Sequence, residues 1–317
     1  MAVTERPHTA RLRRPRTQRW YERKALHAVA GLAVAVLTTV FAGQRATDGV
    51  RASLDDRLSR AGAGADAGLV GVESEQLSAV RAVAFTQGVP HALATLDGAT
   101  LNRFVTPLQA NSTVPMVDVV RPDGRVILAV RSRGAPQPVS SYRGLRLLRQ
   151  SLDSANGPRG GRYTELVIFK SGPALVSIGP VMAGNTPVGA VLAMTPLADV
   201  LGRLSQEVGA DLTAYDVDGF PVATTTTFRP KAIPRDAARS LIAGGAVETR
   251  YVWADHREKA GRLIVDHAAE AVLGVSLEDD SNVTGRSVSI YVALGLLATV
   301  AVLATFWARY TRDREGP

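Results

Sequence analysis

The 317-residue chain contains no cysteine. Disulfides, thiolate metal centres and thiol nucleophiles are excluded, and any domain outside the cell must be held by its core alone. There is also no G-x-S-x-G elbow, no phosphate-binding loop, no paired-carboxylate signature and no pair of histidines at metal-ligand spacing. Gly62-Ala63-Gly64 followed by Gly68 lacks the spacing and the preceding strand of a dinucleotide site. The expectation is therefore no enzyme, no catalytic residue, no metal site and no cofactor. A basic stripe is missing too, although the net charge is +8. The first 24 residues hold eight basic residues against Glu5 and Glu22, and the last nine hold Arg309, Arg312 and Arg314 against Asp313 and Glu315. What remains between them is nearly neutral, so nucleic acid is not an expected partner.

Two uncharged apolar stretches, residues 25–43 and 288–307, bracket a region of ordinary globular composition. About 20 apolar residues rise about 30 Å as a helix, the thickness of a bilayer's hydrocarbon core. Both stretches read as membrane spans. The basic flanks then place both ends in the cytoplasm and the middle outside. The expected order is a basic tail over 1–24, a first span over 25–43, an extracytoplasmic domain over 44–286, a second span over 287–308 and a short tail over 309–317. One alternative stays open: Val40-Phe41-Ala42 resembles a signal-peptidase site, and cleavage there would leave a single span.

From residue 47 to 96 small or apolar residues recur at Leu54, Leu58, Ala61, Ala65, Val72, Leu77, Val80 and Ala84, a helical spacing. This predicts a long stalk helix, broken or bent over 62–71 where four glycines fall. A second helix is expected over 101–110. The period then changes to that of strands, with a tight hairpin around Arg121-Pro122-Asp123-Gly124 and strands over 165–169, 174–180 and 188–194. Pro196 opens a short amphipathic helix. About 95 residues after the first hairpin the pattern returns around Asp216-Val217-Asp218-Gly219. Strands over 249–254, 263–266 and 271–277 complete a second unit, whose last strand echoes 188–193. The expectation is an α+β chain: a stalk helix over 47–96, a distal module over 100–204 and a proximal module over 205–280, between two transmembrane helices.

This order of a long helix after a membrane span, two successive PAS-like sheets each with an Asp-Gly hairpin, and a closing Gly-x-x-x-Val-Gly-Ala-Val strand resembles the double Cache (tandem PAS-like) sensor domain of bacterial receptors. The resemblance covers residues 45–281, through 117–129, 184–200 and 210–224. It implies binding of a small extracellular solute, commonly in the distal module, and relay to cytoplasmic signalling domains. The chain departs from the family's amino-acid-binding subset, because Tyr142-Arg143-Gly144-Leu145-Arg146 and Gly161-Arg162-Tyr163 lack the motif's Trp.

In the distal module Arg131, Arg133, Tyr142, Arg146, Tyr163 and Lys170 could line a pocket. Arginine grips a carboxylate in a two-pronged fork and tyrosine adds a hydroxyl donor, so the cluster points to an organic anion. The bland alternative for each arginine is solvated surface. His91, His256 and His267 offer no nucleophile or ligand set. Two functions remain open. One is a sensor, working as a homodimer, that binds a small solute and signals through its transmembrane helices to a separate kinase- or cyclase-type protein, having no output domain of its own. The other is an envelope scaffold or accessory subunit that binds another protein with no small ligand.

Overall fold

The computed structural model describes residues 16–244, 250–253, 256–266, 268–278 and 293. The chain divides into two units: Leu54–Asp279, and Met1–Ser53 together with Asp280–Pro317. The first apolar stretch lies inside α1 (Arg16–Ala84). The second, apart from position 293, and both charged tails except Arg16 to Lys24 lie outside the described residues. Among the described residues no helix is long and apolar enough to cross a membrane.

Within Leu54–Asp279 the helix α1 does not break at its glycines, as the sequence had suggested. Interior glycine costs a helix only about 1 kcal/mol, and here the loss is offset by packing of the helix's apolar face. Leu58, Ala61, Ala65, Leu69 and Val72 are buried in one core cluster. Gly64 and Gly68 let neighbours approach: a Cβ at Gly64 would stand 3.0 Å from Val208 Cγ1, and one at Gly68 would overlap Leu204 Cδ2. The helix stops at Ala84, short of the expected 96. Gly88, at φ 93°, turns the chain into the short α2 (Val89–Ala94), which Pro90 starts. α3 (Gly98–Ala110) follows, capped by Asp97, whose carboxylate accepts from Thr100 N at 2.9 Å.

The first module contains β1 (Met116–Val120), β2 (Val126–Arg131), α4 (Arg146–Asp153), β3 (Tyr163–Phe169), β4 (Gly172–Ala183) and β5 (Thr186–Pro196). Its antiparallel sheet has the order β2-β1-β5-β4-β3. After α5 (Leu197–Val208) the second module brings β6 (Asp211–Tyr215), β7 (Pro221–Thr224), α6 (Arg235–Ile242), β8 (Arg250–Trp253), β9 (His256–Val265) and β10 (Ala268–Glu278), in the order β7-β6-β10-β9-β8. The two orders are the same. The repeat reaches into detail at an offset of 95 residues. Both first hairpins carry a bulge, at Val119/Val120 and at Ala214/Tyr215. Both turn on a glycine at φ 85°, Gly124 and Gly219. Each of these carbonyls accepts from the segment that crosses it, Tyr142 N at 2.8 Å and Ile233 N at 2.9 Å.

Each sheet is buried on both faces. In the first module Val117, Val119 and Val191 pack toward α1, α2 and α3, whereas Met116, Val120, Val176, Ile178 and Leu192 pack toward Tyr142 and α4. α1 is fastened to this sheet by a buried polar link. Gln76 donates to Leu175 O at 3.2 Å and to Thr195 Oγ1 at 2.9 Å, and accepts from Ser177 Oγ at 2.9 Å.

Candidate functional site

β1 is an interior strand, between β2 and β5, in a sheet covered on both faces, so all five of its side chains are buried, including the carboxylate of Asp118. A charge there needs a partner. Arg131, the last residue of β2, is paired in register with Met116, two positions from Asp118, and reaches back along the same face. Its Nη1 and Nη2 both donate to the Asp118 carboxylate, the second at 2.8 Å to Oδ2. Tyr142 lies in the connection from β2 to α4, pinned by its backbone bond to Gly124. Its hydroxyl donates to Asp118 Oδ2 at 2.5 Å and lies 3.4 Å from Met194 Sδ. Its ring meets Phe169 edge-on at 6.1 Å.

The electrostatics follow from this geometry. Burial is the largest influence on Arg131 and acts to lower its pKa, but the bonds and charge of Asp118 together outweigh it and hold the guanidinium above its ordinary value. Burial, then the Asp118 charge, raises the Tyr142 hydroxyl well above its ordinary value, so it remains a donor. One carboxylate and one guanidinium thus share the face with no net charge. Beside them is a cavity of about 40 Å³, with an apolar wall of Met116, Phe169, Pro173 and Met194 and a lip formed by Gln137 and Val139. Arg131 lines it, and the buried Arg131 Nε has no hydrogen-bond partner among the described residues.

Of the six residues singled out in the sequence, Arg131 and Tyr142 come together here and four stand elsewhere. Arg133 and Lys170 are exposed in turns. Arg146 is exposed at the start of α4 and pairs with Glu165 at 2.8 Å. Tyr163 is half-buried, its hydroxyl 2.9 Å from Ser154 Oγ. Asp118, which the sequence reading passed over, is the hub. Its signal was an acid inside Met116-Val117-Asp118-Val119-Val120, where an apolar residue would suit a central strand.

The second module keeps the frame and loses the site. At the same offset of 95, Asp118 and Arg131 become Thr213 and Thr226, and the residue that bonds the turn glycine, Tyr142 in the first module, is Ile233 in the second.

No family model matches the chain, and no curated protein is similar to it in sequence at a significant level. Solved structures do match. The ligand-binding domain of the Campylobacter jejuni chemoreceptor Tlp3, solved with 4-methylisoleucine, aligns at a TM-score of 0.51 and 10% identity, over 74% of this chain and 92% of that one. The sensory domain of the same receptor aligns at 0.51 and 11% identity, over 74% and 97%. The chain has the double Cache fold. The sensor domain of the Vibrio cholerae histidine kinase DctB aligns at 0.44 and 9% identity, over 73% and 97%. In this double Cache frame the polar cluster lies on the sheet face opposite the long helix, in the first of the two modules.

Proposed function

We propose that this chain is a membrane-anchored, extracytoplasmic sensor. It binds a small solute of no net charge, zwitterionic or neutral, in the first module, and signals through its membrane helices to a separate kinase- or cyclase-type protein. The buried Asp118–Arg131–Tyr142 cluster carries this reading. An organic anion, the ligand class the arginines alone suggested, would add an uncompensated charge to a site whose guanidinium fork is already filled by Asp118, and such burial is costly. A zwitterion or an amide keeps the balance, offers an acceptor to Arg131 Nε, and lays its apolar part on Met116, Phe169 and Met194.

Anchoring is supported by α1, where Val34, Leu37 and Phe41 are 59%, 68% and 58% exposed within the apolar stretch, a face suited to lipid and not to water. Gly31, four residues before Ala35, has no heavy atom of the described residues within 4 Å of where a Cβ would stand, which suits close packing of a second helix in a homodimer.

A second reading rests on the cavity's size. About 40 Å³ holds roughly three waters, which suits a scaffold that takes no solute. The sensor reading therefore requires the lip at Gln137 and Val139 to open.

Thermal shift of the full chain in detergent separates the two. A panel of aliphatic amino acids, their amides and the matching organic acids is tested at up to 10 mM. The sensor reading expects shifts with the first two groups, corresponding to about 2.7 kcal/mol at 100 times the dissociation constant, and their loss in Tyr142→Phe. Shifts with the acids alone would overturn the charge argument. No shift with any compound would favour the scaffold.

A further inference from the structure

The two modules meet along one edge through titratable groups. Glu270 sits at the bulge of β10, between Ala269 and Ala271, which frees its side chain from the regular alternation. Its Oε2 accepts from Leu166 N at 2.6 Å. Leu166 belongs to β3, the edge strand of the other module's sheet, and its side chain packs on the core that α1 shares with the second module. Two further links lie alongside. Arg159, between α4 and β3, meets Asp266 at 3.2 Å, and Asp266 N donates to Glu73 Oε1 of α1 at 3.4 Å. The charged groups that act on Glu270 are Glu165 on β3, Glu73 on α1 and Arg146 on α4, and Arg146 is itself bonded to Glu165. Around this carboxyl the acids outnumber the bases.

We propose that Glu270 makes the module junction a proton-binding site, a second input to the sensor that is separate from the solute pocket. With a proton on Glu270, one oxygen accepts from Leu166 N and the sheet edge is closed onto β10 without charge repulsion. Without it, a half-buried anion faces Glu165 and Glu73. Burial, and then these two acids against the opposing Leu166 bond and Arg146, push the Glu270 pKa up to about 7. The sign follows from linkage. In an open junction Glu270 returns to its ordinary value of 4.5, so between that value and about 7 opening releases a proton. The closed form is favoured at low pH, and its advantage falls as pH rises. Between pH 6 and pH 8 the opening equilibrium shifts toward open by on the order of tenfold. A change of external pH through neutrality thereby alters the mechanical coupling of the two modules, on the strand that leads toward the second apolar stretch.

The test is hydrogen exchange at the Leu166 amide in the full chain in detergent, with no solute added, so it stands apart from the ligand reading. Rates are corrected for the intrinsic pH dependence of exchange. Wild type should lose about tenfold in protection from pH 6 to pH 8, and Glu270→Gln should lose none. Glu165→Gln, which removes a negative neighbour, should move the wild-type midpoint to lower pH. Arg146→Gln, which removes the cation, should move it higher. Equal pH profiles in wild type and Glu270→Gln would overturn the proposal. If Glu270→Gln fails to fold, the other two variants decide, and midpoints that do not move in opposite directions overturn it.

Discussion

Asp118 and Arg131 leave water as a pair, and the cost of removing one exceeds the worth of both. The carboxylate is fully buried and the arginine side chain 14% exposed. Asp118→Ala leaves a buried guanidinium unpaired and should destabilise the domain by about 3–5 kcal/mol. Asp118→Leu with Arg131→Met removes both charges, and its thermal midpoint should recover most of that loss. If the double variant is no better than the single, the cluster is not held by charge pairing. The contrast is Glu75 with Arg203, bonded at 2.8 and 2.9 Å. Arg203's hydrogen bond, acting first, and its charge lower the Glu75 pKa, yet the pair is about 40% exposed on both sides, and such pairs contribute under about 1 kcal/mol. Arg131 and Tyr142 were legible in the sequence because a large polar side chain near a hairpin is an obvious pocket candidate. Asp118 was not, because a strand's alternation says which face a residue takes and not what lies across the sheet. Ser132 and Arg133 show the converse: adjacent to Arg131, they lie past the strand's end, where Ser132 Oγ accepts from Gln109 Nε2 at 2.8 Å and Arg133 is exposed.

At the scale of elements the strands were readable and the stalk helix was misread. β1 and β5 are marked by valine-containing runs beside the Asp123-Gly124 and Gly184-Asn185 turns, and β6 by the Asp218-Gly219 turn that follows it, which is local information. α4 and α6 were missed because eight residues carry too short a period, and their amphipathic faces make sense only against the sheet. The glycines of α1 were read as breaks because a glycine's cost is local while its benefit, close approach, is tertiary. That distinction can be measured. Gly71 is exposed, with no heavy atom of the described residues within 4 Å of a Cβ position, so Gly71→Ala should stabilise by about 0.5–1 kcal/mol through helix propensity alone. Gly68 faces Leu204, which is 1% exposed and cannot swing clear. Gly68→Ala should therefore lower the thermal midpoint despite the same gain in propensity. Two stabilising substitutions would mean that α1 is not held against α5 as described.

At the scale of the molecule the tandem repeat was visible as a recurring hairpin, and its division of labour was not. Both modules keep the strand order, bulge and turn glycine, while the buried polar groups on the inner face diverge: Asp118, Arg131 and Tyr142 in the first, Tyr215 with Glu258 at 3.0 Å in the second. A binding module and a coupling module can share one fold in this way. The proposed topology makes a demand that the missing cysteines render easy to check, since any single introduced thiol is unique. Asn185, at the exposed turn between β4 and β5, should as Asn185→Cys react with a membrane-impermeant maleimide on intact spheroplasts. Thr4→Cys and Thr311→Cys should react only after permeabilisation, because both charged tails are expected inside. Loss of the Thr4→Cys label from the mature band would mean cleavage after residue 42, leaving the second apolar stretch as the anchor. Labelling of Thr311→Cys on intact spheroplasts would remove that span, and with it the route by which movement of β10 reaches a partner in the cytoplasm.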